Sequence, residues 1–157
     1  MFNKRKYLYA ACKGYSDTLA SVPDEAFSSG MLGVGYSIIP NDNKVLAPIS
    51  GTIGSIASTK HAYTITTKDG IDVLIHIGID TVGLEGSGFD CLVIEKQRVN
   101  AGDTLAYVNF EKIKEKGFAT NIVVLITNPE NIESIEYDLG NECKESDALI
   151  SFKIKKE

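Results

Sequence analysis

Apolar and polar positions follow a strand rhythm along much of the chain, most clearly over 62–67, 71–77 and Ile122–Ile126. A period of two puts successive side chains on opposite faces, as half-buried strands require. Turn residues fall between the strands: Pro40-Asn41-Asp42-Asn43, Lys68-Asp69-Gly70, Asn100-Ala101-Gly102-Asp103 and Asn128-Pro129-Glu130-Asn131. Proline presets the backbone, glycine tolerates positive φ, and Asn and Asp bond their own backbone, so each cluster marks a reversal. Many short strands with regular turns predict an all-β sandwich or barrel. Helix is scarce: residues 109–116 and 131–135 suit two turns each at most.

A weak repeat refines this picture. Ala10-Ala-Cys-Lys-Gly14 matches Ala47-Pro-Ile-Ser-Gly51, and the same register pairs Ala20-Ser21 with Ala57-Ser58. A fainter echo links Val99-x-x-x-Asp103-x-Leu105 to Cys143-x-x-x-Asp147-x-Leu149. Two half-barrels related by duplication would produce both.

Composition narrows the class. At 157 residues, 43% hydrophobic and 24% charged, the chain suits one domain able to build its own core. Net charge is −5 and the one basic cluster is Lys4-Arg5-Lys6, so a nucleic-acid footprint is missing. Cys12, Cys91 and Cys143 are odd in number and lack a C-x-x-C pair, which argues against a disulfide framework or zinc knuckle and for a reducing cytoplasm. The apolar run after Lys6 stops at Lys13, too short for a signal peptide. No segment reaches the roughly 20 apolar residues of a membrane span. Residues 2–9 mix basic and apolar side chains but give only two helical turns, a poor membrane anchor.

The candidate chemistry lies at His61 and His76, the only histidines and the only side chains whose ordinary pKa, about 6.5, lies near neutrality. Alternation sets Ile71, Val73, Ile75 and Ile77 on one face and leaves Asp72, Leu74 and His76 on the other. His61 shares parity with Tyr63 and Ile65, so periodicity leaves its direction open. An isolated strand histidine is more often structural than reactive, yet Gly78, Asp80 and Thr81 crowd polar groups just beyond His76. Gly83, Gly86 and Gly88 lack the order of a phosphate loop and read as loop geometry. Two imidazoles fall short of a catalytic zinc's three protein ligands, and no H-x-x-x-D plus H-x-H peptidase set exists.

Gly70-Ile-Asp-Val-Leu-Ile-His76-Ile-Gly-Ile-Asp80-Thr-Val82, with Ala47-Pro-Ile-Ser-Gly51-Thr-Ile-Gly54 and Thr59-Lys-His61-Ala before it, resembles the glucose-type enzyme IIA domain of the bacterial phosphoenolpyruvate-dependent sugar phosphotransferase system. The likeness continues through Val22-Pro23-Asp24, Phe27, Pro40, Gly86-x-Gly88-Phe89 and Gln97-Arg98-Val99 to Ile154. It implies an antiparallel β-sandwich or barrel with a duplicated hybrid motif, residues 1–9 as a tail before a single domain at 10–157. The implied activity is that of a cytoplasmic phosphocarrier between HPr and a sugar-specific IIB domain. His76 would accept the phosphoryl group, His61 would bond its oxygens, and Thr59 would orient a histidine. Asp80 would stand beside the site, pairing a partner's arginine or ordering the turn. Leu74, Val82, Phe27 and Met31 are expected at the partner face, with core packing as the bland reading of each. No cofactor is required, although the two histidines could share a zinc with a partner's carboxylate. A regulatory module that binds according to phosphorylation and feeds no transporter is the alternative. Gly30, Val34, Ala57, Gly83 and Glu85 depart from common family residues, which bears on the choice of partners and leaves the histidine pair untouched.

Overall fold

A computed structural model describes residues 4–155. In chain order its strands are β1 (Lys6–Tyr9), β2 (Gly14–Asp17), β3 (Val34–Pro40), β4 (Lys44–Leu46), β5 (Gly51–Ile56), β6 (Ala62–Thr66), β7 (Asp72–Ile77), β8 (Phe89–Cys91), β9 (Arg98–Val99), β10 (Thr104–Val108), β11 (Ile122–Ile126), β12 (Ile132–Tyr137), β13 (Glu142–Cys143) and β14 (Ala148–Ile154). Two short helices join them, α1 (Glu25–Ser28) and α2 (Phe110–Glu115). All the pairings are antiparallel.

One sheet has eight strands in the order β13-β2-β3-β11-β7-β6-β5-β9, and two smaller sheets run β1-β14-β12 and β4-β10-β8. These orders are images of each other about a two-fold between β11 and β7, where Val124 faces Ile75. The rotation maps β1, β2, β3, β11, β12, β13 and β14 onto β4, β5, β6, β7, β8, β9 and β10. The second half is thus one unbroken stretch inserted into the first, between β3 and β11.

The repeated residues have repeated jobs. Gly14 opens β2 and Gly51 opens β5; a Cβ at Gly14 would lie 2.1 Å from the Ile39 carbonyl, and one at Gly51 2.5 Å from that of Thr66. Asp103 accepts from the Asn100 amide at 2.8 Å and Asp147 from the Lys144 amide at 2.8 Å, closing matching turns before β10 and β14. The faint echo is therefore structural. Each half also buries one strand tyrosine completely, Tyr36 or Tyr63.

Isoleucines of β3, β6, β7 and β11 fill the main core beside those tyrosines. A second, smaller core lies on the opposite face of the long sheet, where Val22, Phe27 and Ile79 cover Val123 and Leu125. Burying each such side chain contributes roughly 1.5–3 kcal/mol before ordering costs. β11 is consequently buried on both faces, which explains its unbroken Ile-Val-Val-Leu-Ile run and corrects the half-buried expectation.

Other expectations need revision too. Lys6–Tyr9 pairs with β14 instead of forming a tail, and Arg5 bonds Ser151 at 2.9 Å and Glu136 at 3.4 Å; Met1, Phe2 and Asn3 lie outside the described residues. The helix expected at 109–116 is α2, with the Asn109 side chain accepting from the Lys112 amide at 3.1 Å. The one expected at 131–135 is instead a 3-10 turn, Pro129–Asn131, followed by β12. A bulge between Ile132 and Ser134 turns Ile132 and Ile135 to one side, so a spacing of three arises within a strand. Helix α1 went unforeseen because a single turn carries no periodicity.

Candidate functional site

The site grows from the end of β7. Val73, Ile75 and Ile77 are buried there, while Asp72, Leu74 and His76 occupy the other, half-buried face, as alternation predicts. Beyond Ile77 the chain turns at Gly78, whose φ is +75°, a value glycine adopts without strain. The Gly78 amide donates to the Asn121 carbonyl at 2.8 Å, the Ile79 amide to that of Ala119 at 3.0 Å, and the buried Thr81 hydroxyl to that of Ile77 at 2.5 Å. The turn is thereby locked, and a Cβ on Gly78 would lie 2.3 Å from Thr81 Cγ2. Its product is a carbonyl aimed back at the histidine: Gly78 O lies 2.8 Å from His76 Nδ1. A carbonyl only accepts, so Nδ1 carries the proton and Nε2 of the neutral ring keeps its lone pair.

His61 arrives from the neighbouring strand by breaking its rhythm. Tyr63 and Ile65 share its parity and are fully buried, yet the His61 ring meets His76 on the other side of the sheet. Their ring centroids lie 5.1 Å apart at 80°, edge to face. The break occurs because His61 precedes β6 and follows Lys60, a left-handed residue with φ +61°. The Lys60 amide donates to Ala57 O at 2.8 Å, and His61 O accepts the Ile77 amide at 2.7 Å. Thr59 Oγ1 reaches His61 Nδ1 at 2.6 Å. When the hydroxyl donates, the His61 proton sits on Nε2, free to serve a ligand. Phe27 supports the pair from α1, its ring centroid 5.1 Å from that of His76.

Burial holds the pKa of His76 below the ordinary value, and His61 adds to this by disfavouring a second positive charge; the Gly78 carbonyl, Asp24 and Asp80 oppose the shift. Burial likewise lowers His61. Both rings are therefore neutral at pH 7, the form in which an imidazole nitrogen is nucleophilic. Among the described residues no group of three His, Cys, Asp or Glu stands together to hold a metal.

The structure brings Thr59, His61 and His76 together and sets Asp80 beside them, exposed and left-handed at φ +61°. Val82 is 55% exposed and Met31 75%, so both are available to a partner. Leu74 is half-buried against the smaller core. Phe27, placed by the sequence at the partner face, is only 6% exposed and packs beneath His76. The sequence left Asp24, the Gly78 carbonyl and Asn121 without roles. Asp24 caps α1 by accepting from the Ala26 amide at 2.9 Å, a signal visible as Asp before a short apolar stretch. The contribution of Asn121 comes from its backbone, which no side-chain pattern discloses.

This histidine pair, carried by a duplicated antiparallel fold, invites comparison with known proteins. The family model for the phosphoenolpyruvate-dependent sugar phosphotransferase system, EIIA 1, matches residues 6–132. The chain belongs to this family. An EIIA chain is a phosphotransferase component of that system. The glucose-specific EIIA component of Mycoplasma capricolum is 39% identical over 152 residues, covering 97% of this chain and 98% of its own. The solved structure of glucose permease IIA from Mycoplasma capricolum superposes with a TM-score of 0.88 at 38% identity, covering 96% of this chain and 97% of that one. A glucose-specific EIICBA component of Streptococcus pneumoniae is 40% identical over 131 residues, 83% of this chain but 18% of the longer protein. EIIA units thus occur both alone and as part of larger chains.

Proposed function

We propose that His76 Nε2 accepts a phosphoryl group from phospho-HPr and passes it to a sugar-specific IIB domain. The observation that carries this reading is the Gly78 carbonyl 2.8 Å from His76 Nδ1, which fixes the nucleophilic tautomer beside a second neutral imidazole. In the transfer, the donor's P–N bond breaks as the Nε2 lone pair forms a new one, roughly in line. The ring becomes electron-poor, and the Nδ1–H bond to Gly78 O strengthens as it does so. His61 Nε2–H donates to a phosphoryl oxygen and stabilises its charge, with the Thr59 hydroxyl holding the ring. The reverse geometry serves the onward transfer.

Val82, six residues beyond His76, and Met31, four residues after Phe27, are exposed, which suits docking of two successive partners beside the histidines. Asp80 pairs an arginine from a partner, since its own charge repels phosphate. The transfer needs no metal; a zinc held by His61 and His76 would take its third ligand from a partner. The relatives' names favour glucose as the sugar. A place in the cytoplasm is supported by standalone EIIA relatives of similar length; among the described residues no helix is long and apolar enough to cross a membrane.

Incubation with phosphoenolpyruvate, enzyme I and HPr tests the reading by intact mass. One acid-labile phosphoryl group is expected, absent from His76→Ala, while His61→Gln accepts the group but hands it to IIB slowly. An acid-stable adduct, or one that survives in His76→Ala, would overturn the assignment.

A further inference from the structure

A second concave site lies at the opposite end of the hairpin that carries the histidines. Its cavity of about 360 Å³ is formed by the β6–β7 turn, the start of β5 and the β1–β14 pair. Ile71 in its wall is five residues from His76 along the chain, about 16 Å at the rise of a strand. Tyr7, Ile49 and Ile154 supply apolar surface to it, backed by the almost fully buried Ile71 and Phe152.

The rim has the opposite chemistry. Arg5, Lys6, Lys68 and Arg98 surround the opening, with Asp69 as the one carboxylate in the lining. Asp69 is occupied by Lys6 at 3.1 Å, and Arg5 is tied to Glu136. Among the described residues Lys68 and Arg98 have no ion-pair partner. A protein of net charge −5 thus gathers four cations around one apolar hollow. Water solvates an apolar floor poorly, while cations over a low-dielectric wall focus potential into the cleft. A body that buries carbon below and presents negative charge above satisfies both features at once.

We propose that this cavity binds a small organic anion: an aliphatic or aromatic body lying on Tyr7, Ile49 and Ile154, with a single carboxylate or similar head held by Lys68 and Arg98. The histidine face stays open when it is filled, so the two sites can be occupied together.

The test is residue-resolved NMR titration of the full chain with 4-phenylbutanoate, using acetate as the head alone and 4-phenylbutanol as the body alone. Saturable shifts at the amides of Ser50, Ile71 and Arg98 are expected. Acetate and the alcohol should each bind at least about tenfold more weakly. Lys68 and Arg98 are exposed, so Lys68→Ala/Arg98→Ala should keep the spectrum of the folded chain and weaken binding about three- to tenfold. Absence of saturation, equal binding of the alcohol, indifference to the double substitution, or shifts confined to His61 and His76 would each overturn the proposal.

Discussion

Two neutral imidazoles in contact make the reactive pair sensitive to acid. His76 faces His61 and the ring of Phe27, with Asp24 and Asp80 as the nearby carboxylates. In the unfolded chain each histidine takes a proton near pH 6.5; in the folded protein both do so at lower pH. Between those values the unfolded state binds more protons, so folding stability declines as pH falls through about 6.5 and levels off below the folded pKa values. Urea unfolding from pH 7.5 to 5 should show this slope, made shallower by His76→Gln. Phosphoryl acceptance should persist somewhat below pH 6.5, then fail as Nε2 is protonated. A slope unchanged in His76→Gln would show that burial of this ring does not govern the response. His76 was legible in the sequence because β7 alternates without interruption. The direction of His61 was not, since its orientation depends on one left-handed residue, Lys60, and lysine does not announce that conformation.

Strand-level symmetry exposes an inequality between the halves. The Tyr36 hydroxyl donates to the Tyr9 carbonyl at 2.6 Å and accepts the Ala11 amide at 3.0 Å. The duplicate of Ala11 is Pro48, which has no amide hydrogen. Tyr63, the duplicate of Tyr36, accordingly has a buried hydroxyl that bonds no backbone group and has only the Cys91 sulfur beside it. The Cys91 thiol donates to Val93 O at 3.1 Å, which leaves its sulfur as a weak acceptor for the Tyr63 hydroxyl. Tyr36→Phe should therefore cost about 1–3 kcal/mol by leaving two backbone groups unpaired, whereas Tyr63→Phe should leave stability equal or raised. Denaturant midpoints decide the matter, and equal losses would refute the inequality. Elements with a plain period, such as β7 and α2, could be read in advance. β12 could not, because its bulge imitates helical spacing, and α1 is too short to carry any.

At the scale of the molecule, the duplication was half visible. Gly14 and Gly51 disclosed it because a neighbouring carbonyl excludes any side chain at both places. The Asp103 and Asp147 turns repeat just as faithfully, but three matched positions in a sequence look like coincidence. Reactive chemistry occupies one half alone: the two-fold maps His61 onto Val34 and His76 onto the fully buried Leu125. The first half is split in sequence yet whole in space, since Lys6 lies opposite Phe152. A circular permutant opened in the Pro40-Asn41-Asp42-Asn43 turn and joined by a short linker between the ends should thus fold with β3 and β11 still paired. It would place the halves in tandem. Circular dichroism and urea unfolding would check this, and failure to reach a native-like spectrum would show that the existing order is required.

The nesting also orders events in time during synthesis. Everything from β4 to β10 is synthesised before any of β11 to β14, so the inner half, histidines included, emerges first and can begin to assemble before the outer half is complete. β2 and β3 can pair with each other, but β1 and the outer edges of that pair must meanwhile wait for β14, β13 and β11 at the far end of the chain, open to wrong neighbours. A stalled or prematurely ended chain would thus carry both reactive side chains yet lack the last strand of the outer half, leaving a sticky fragment for the cell to clear.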